Sequence, residues 1–185
     1  MVLEAAVQLL VERGFSATTI EAISARSGVA KTTIYRHWPD KDAVLRSAVA
    51  SIGPAATAPD TGSLRGDLTA FLEQLTDILS ARPTSALVPS LIEAAERDTA
   101  IEELLAEFTA TRRRPLHDAV ARAKQRGELD QAVDPEELAE ALLGPLFYRR
   151  LLSRRPIAGQ AWARLVDTVL ANPAITRPVE RKPAN

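Results

Sequence analysis

Apolar residues recur every three to four positions along almost the whole chain, and no segment shows the period of two that a half-buried strand requires. The pattern predicts an all-α protein. Leu3, Ala6, Val7, Leu10 and Val11 form one stripe of a first helix over about 2–13, which Gly14 closes. Thr18, with Glu21 three residues on, reads as a capping box that opens a second helix, and Gly28 supplies a left-handed stop after Ser27. A third, short helix runs from Lys31 to about His37 and ends at Trp38-Pro39. Asp40 then caps a fourth that reaches about Ile52.

Residues 53–62, GPAATAPDTG, carry no apolar period and read as a linker. Beyond them Leu64, Leu68, Phe71, Leu72, Leu75, Ile78 and Leu79 keep the helical period until Pro83. Further helices are expected over about 85–96 and 98–126, the longer one kinked at Pro115. RGELD at 126–130 reads as a stop and turn, and Asp134-Pro135 followed by Glu137 as a helix start. Two last helices fall over about 135–153 and 159–171, ahead of a Pro-rich tail over 173–185 that is expected to be flexible. The expected architecture is an N-terminal three-helix head over 1–50, its helix-turn-helix at about 19–38, and a larger helical body over 63–172, about nine helices in all.

Composition narrows what such a chain does. Its 185 residues suffice to bury about 70% of the surface an unfolded chain exposes, so no covalent staple is needed. With no cysteine, disulfides, thiolate zinc sites and cysteine nucleophiles are excluded. No run approaches the roughly 18 apolar residues of a membrane span, and the basic start of a secretion signal is missing, so no membrane partner is expected and the expected setting is the cytoplasm. The excess of arginine over lysine, 19 to 4, fits a GC-rich bacterial coding bias. Net charge is −1, so contact with a polyanion must come from a local patch. One exists. From Arg26 to Arg46 the chain carries Arg26, Lys31, Arg36, Lys41 and Arg46 against Asp40 and Asp42, five cations less two anions, or +3.

The turn Gly28-Val29-Ala30 separates the second and third helices by the three residues that a helix-turn-helix needs. In that motif the first helix braces the DNA backbone and the second presents its N-terminal half to the major groove. Lys31, Thr32 and Thr33 then stand at the groove-facing start, with hydroxyls, an ammonium and backbone N–H groups for phosphates or base edges. Tyr35 and His37 suit phosphate oxygens, and Arg36 suits a guanine or a phosphate. Lys41 lies in the first turn of the next helix, where the helix dipole disfavours a cation unless an anion is expected beside it. Ile34 and Trp38 read as packing rather than contact, and Arg13 and Arg46 as solvated faces. Catalysis finds no support. The two histidines, His37 and His117, accompany no phosphate loop and no metal-ligand spacing, and Glu102-Glu103 and Glu136-Glu137 are helix-surface neighbours. Neither a catalytic nor a metal site, and no cofactor, is expected.

The segment GFSATTIEAISARSGVAKTTIYRHWPDKDAVL resembles the DNA-binding head of the TetR family of bacterial transcriptional regulators. Gly14, Phe15, Thr18, Thr19, Ile23, Gly28, Val29, Ile34, Tyr35, His37, Trp38, Lys41 and Leu45 all fall on the family's pattern at its spacing. The resemblance covers residues 1–50, with RGELD and GPLFYRRLL similar to C-terminal segments of one branch. It implies that Thr19, Tyr35, His37 and Lys41 hold DNA phosphates and that Lys31, Thr32, Thr33 and Arg36 lie nearest the bases. The sequence begins inside the first helix, without the basic arm that many members carry, which implies a truncated chain or a weaker hold on phosphate.

The helix over 135–153 is apolar nearly all round, and the last helix has a similarly broad face. Such helices lie either deep in a core or against another chain; on the second, favoured reading Leu138, Leu142, Leu146, Trp162, Leu165 and Val169 are the candidate interface of a homodimer, whose two heads would read a palindromic double-stranded operator. The resemblance also implies a small-molecule pocket in the body. Phe71, Leu75, Leu91, Phe108, Phe147 and Tyr148 are candidates for an apolar lining, with His117 to orient a polar group of an apolar effector. The expected function is a homodimeric repressor released from DNA by its ligand. A constitutive DNA-binding regulator without a ligand, or a helical protein-interaction module, remains open.

Overall fold

The computed structural model describes residues 1–52, 56–57, 59–81, 84–155 and 160–176, and every regular element among them is a helix. In chain order these are α1 (Val2–Arg13), α2 (Ile20–Ser27), α3 (Lys31–His37), α4 (Lys41–Ala50), α5 (Leu64–Ser80), α6 (Thr84–Ala95), α7 (Thr99–Arg126) and α8 (Pro135–Phe147). A π-helical turn (Tyr148–Ser153), α9 (Gln160–Leu170) and α10 (Pro173–Thr176) follow. The all-α expectation holds. Part of the expected linker and residues 177–185 of the expected tail lie outside the described residues; the start of that tail forms α10.

The chain divides into two compact units, one of residues 1–55 with 78–111 and one of residues 56–77 with 112–185. The first is wider than a head ending at residue 50. Leu9 and Leu10 of α1, Ile23 of α2, Ile34 of α3 and Val44 and Leu45 of α4 share one buried cluster with Leu87 and Leu91 of α6 and Ile101 and Leu104 of α7. Helices of seven to twelve residues have too little apolar surface to close a core alone, and α6 with the first half of α7 supplies the remainder.

Local chemistry sets the ends of these helices. Asp40 caps α4 by accepting from the Ala43 N–H at 2.7 Å, as expected. The cap of α2 falls one residue later than the capping-box reading. Thr19 Oγ1 accepts from the Ala22 N–H at 3.1 Å, while the buried Thr18 hydroxyl turns back to donate to the Gly14 carbonyl at 2.8 Å. Both threonines offer the same chemistry, and only burial decides which of them points inward. α7 continues as a helix through Pro115, and α6 likewise contains Pro89.

In the second unit, the expected interface residues turn out to be core. Leu138, Leu142, Leu146, Trp162 and Val169 are buried within the chain itself, and only Leu165 is half-buried. A helix apolar on every side needs a core or a partner, and α9 and α10 pack on α8 as part of such a core. What stays open on the α8 side is a different stripe: Gly144, then Tyr148 at 58% and Leu152 at 72% exposure.

The second unit also buries a charge. Asp67 is fully enclosed and accepts from the Thr61 N–H at 2.7 Å, the Thr61 hydroxyl at 2.8 Å and Arg122 Nη2 at 3.2 Å, with Arg126 Nη2 at 3.6 Å. Burial pushes its pKa up, but the two Thr61 hydrogen bonds and Arg122 outweigh that and hold it below the ordinary carboxylate value. RGELD does more than turn the chain. Glu128 accepts from the Leu64 N–H at 2.6 Å, closing the free N-terminus of α5, and pairs with Arg126. Lys124 Nζ donates to the carbonyls of Gln131 and Val133.

A group whose folded pKa is depressed stabilises above its unfolded pKa and loses that contribution as pH falls through the folded value. Asp67→Asn should cost about 3 kcal/mol at neutral pH, the low end for a broken buried pair because both arginines keep part of their surface in water. Urea titrations of the variant should also show a shallower loss of stability below about pH 4 than the parent protein.

Candidate nucleic-acid interface

The candidate interface is built from a turn and a seven-residue helix. Gly28 sits at φ 71°, ψ 7°, and its N–H donates to the Ser24 carbonyl, which closes α2 in a left-handed cap. The Ser24 hydroxyl then donates to the Val29 carbonyl at 2.8 Å, and the Val29 N–H donates to Ser27 Oγ at 3.3 Å, so side chains of α2 fix the turn that launches α3. At the far end the Trp38 N–H donates to the Ile34 carbonyl, and the indole Nε1 donates to Ser47 Oγ at 2.9 Å, tying the exit of α3 to α4.

Ile34 is the buried residue of α3, and Trp38 is half-buried beside it. Lys31, Thr32, Tyr35, Arg36 and His37 are exposed, Tyr35 at 51%, and Thr33 is half-buried. Thr19 is exposed at the start of α2, and half-buried Lys41 opens α4 with its Nζ 4.8 Å from the centre of the Phe15 ring, a cation–π contact. The His37 and Trp38 rings lie 5.7 Å apart and tilted. The expected contact residues thus share one unit, and the expected packing residues are separated from them.

Sequence reasoning missed the partners. Lys31 Nζ is 3.1 Å from Glu21 Oε1, Arg26 Nη2 is 2.7 Å from Glu12 Oε2, and Arg46 Nη1 is 3.6 Å from Glu107 Oε2. Arg46, expected as a solvated face, is one half of an ion pair. The pKa of Glu21 is lowered first by a hydrogen bond from its own backbone N–H and then by Lys31; that of Glu12 is lowered first by Arg26. Arg36, His37 and Lys41 have no ion-pair partner among the described residues.

The expected pocket residues divide between the units. Leu91 is buried in the core of the first unit, with Phe108 packed against that core. In the second, Phe71 is buried, Leu75, His117 and Phe147 are half-buried, and Tyr148 is exposed. His117 Nε2 lies 3.4 Å from Glu136 Oε1 and Arg113 Nε 3.6 Å from Glu136 Oε2, yet both nitrogens are buried without a hydrogen-bond partner among the described residues.

Residues 2–48 match the family described as bacterial regulatory proteins, tetR family, and residues 58–169 match the tetracyclin repressor-like C-terminal domain. The chain is 34% identical over 82% of its length to the uncharacterized HTH-type transcriptional regulator YdeS of Bacillus subtilis, covering 77% of that protein. It is 32% identical over 91% of its length to the DNA-binding transcriptional repressor TetR of Mycobacteroides abscessus, covering 89% of it. Among solved structures, a TetR family transcription regulator superposes with a TM-score of 0.69 at 30% identity, over 91% of this chain and 94% of the other.

The positive φ at Gly28 makes one prediction direct. A Cβ there would meet nothing within 4 Å, so Gly28→Ala is strained by backbone conformation alone and should cost about 1 kcal/mol in thermal or chemical unfolding.

Proposed function

Because the chain belongs to the TetR family of bacterial transcriptional regulators, we propose that it is a homodimeric repressor that holds a palindromic operator through α3 and is released by a small apolar effector. It is a DNA-binding regulator of transcription, and proteins of its family are regulators rather than enzymes. The observation that carries the proposal is the sorting of α3, with Ile34 sealed inward and Lys31, Thr32, Tyr35, Arg36 and His37 left to solvent behind a left-handed glycine turn.

On this reading α3 enters the major groove. Lys31, Thr32, Thr33 and Arg36 approach base edges, while Thr19, Tyr35, His37 and Lys41 take the flanking phosphates. The Lys41 ammonium, held over the Phe15 ring, is a positioned charge rather than a free one. Repression agrees with the relative from Mycobacteroides abscessus, a DNA-binding transcriptional repressor.

Dimerisation is assigned to the open stripe of the second unit. Gly144, Tyr148 and Leu152 succeed one another at four-residue spacing, a Cβ on Gly144 would meet nothing within 4 Å, and the half-buried Leu165 adds to this apolar surface from α9. The described helices include none long and apolar enough to cross a membrane, in keeping with a regulator that meets DNA in the cytoplasm. For the effector, the Arg113 and His117 nitrogens, which lie beside Glu136 but are buried without a hydrogen bond, offer a place for a polar group on an otherwise apolar ligand.

Fluorescence anisotropy with a duplex selected by the protein from genomic DNA tests the docking. Tyr35→Ala and Lys41→Ala should each weaken binding by about tenfold whatever the sequence, as expected for a lost charge-assisted phosphate contact. Lys31→Ala and Thr33→Ala should instead change which base pairs are preferred. Unaltered affinity in Tyr35→Ala would refute the placement of α3. Independently, Leu152→Glu should shift the protein from dimer to monomer in analytical ultracentrifugation, since it sets a charge on the surface assigned to the interface.

A further inference from the structure

Of the residues assigned to DNA contact, Lys31 alone is engaged by a carboxylate among the described residues. Its Nζ lies 3.1 Å from Glu21 Oε1, and both side chains are open to solvent at 51% and 65%. The carboxylate stands in the first turn of α2, two residues after the capping Thr19, and accepts from Lys31 across the turn into α3.

From this geometry we infer that Glu21 is a specificity-determining residue, which aims Lys31 at the groove floor and withholds it from the phosphate backbone. The inference rests on the docking of α3 argued above. A lysine ammonium has three donors, so Lys31 can keep Glu21 as one partner while offering another N–H to guanine O6 or N7. On non-specific DNA no base edge is presented in register and affinity comes from phosphates. Lys31 then gains a phosphate only by leaving Glu21, and the bared carboxylate stands beside a polyanion. An exposed pair of this kind is weak, so its effect is a bias between two binding modes rather than a block.

The test compares the parent protein with Glu21→Gln, Lys31→Ala and the double variant. Each is titrated at several salt concentrations with the selected duplex and with a scrambled duplex of equal length. Glu21→Gln should tighten the scrambled duplex by up to about fivefold per head and steepen its salt dependence by about 0.9 in log–log slope per head, as Lys31 joins the phosphate contacts. The selected duplex should gain less, so the ratio of the two affinities falls. In the Lys31→Ala background the same substitution should change neither quantity.

An unchanged ratio and slope in Glu21→Gln would overturn the inference. So would an equal gain in the Lys31→Ala background, because Glu21 would then act on DNA directly and not through Lys31. Tyr35→Ala, run alongside, separates the two levels. If it loses binding while Glu21→Gln moves nothing, only the role of Glu21 falls. If it keeps full affinity, the docking of α3 falls and takes this inference with it.

Discussion

A helix of seven residues does not hold together alone in water, and the proposed contact with DNA hangs on one. The cost of nucleating the first turn leaves isolated helices shorter than about 12 residues marginal. α3 also lacks the usual local supports: its N-cap is Ala30, which offers no side-chain hydrogen bond, and no acid stands in its first turn. It persists because Ile34 is sealed in the unit's core and because both of its ends are clamped. The Gly28 turn with the Ser24 hydroxyl fixes the start, and the Trp38–Ser47 hydrogen bond fixes the exit. A helix anchored through one fully buried residue and its two ends does not need Tyr35, Arg36 or His37 for its own packing. That is why Tyr35, Arg36 and His37 remain available to a ligand.

What the sequence disclosed about this arrangement follows from how local each determinant is. The Gly28 stop, the Asp40 cap and the extent of α3 were legible because each depends on residues within four positions, and so was the separation of Ile34 from its exposed neighbours. The choice between Thr18 and Thr19 as the cap of α2 was not, since their chemistry is the same and tertiary burial of Thr18 decides it. The reading of α8 failed for a related reason. Periodicity shows how much apolar surface a helix must hide but not from what, and here Leu138, Leu142 and Leu146 are hidden within the chain, in a unit where α9 and α10 pack on α8. The π-helical turn that displays Tyr148 and Leu152 has no pattern of its own in the apolar period.

The charges were the least legible part. Glu12 and Arg26 are 14 positions apart, Glu21 and Lys31 ten, and Asp67 and Arg122 55. No helical spacing brings such partners together, so a count along the chain treats them as independent. The count also misses that the two units use charge differently. Asp67 is enclosed, so its arginine pair and Thr61 bonds must all be satisfied together, and removing one strands a buried charge. The pairs of the first unit are open to water, where each is worth little and exchanges easily.

That difference revises the idea of a basic strip. The segment from Arg26 to Arg46 sums to +3, but Glu12, Glu21 and Glu107 each lie against one of its cations, and including them brings the formal sum to zero. Attraction to DNA therefore cannot rest on net local charge. It rests on placement. Arg36, His37 and Lys41 have no anionic partner among the described residues, while Lys31 is held by a carboxylate that exposure makes easy to leave. A surface whose cations are partly paired is sticky toward polyanions only where phosphates or base edges fall on the unpaired ones, or on those whose partner yields. Paired charge thus works against indiscriminate binding in a protein whose overall charge already does the same. On the proposed docking, the energy that favours one sequence then has to come from the fit of α3 in its groove.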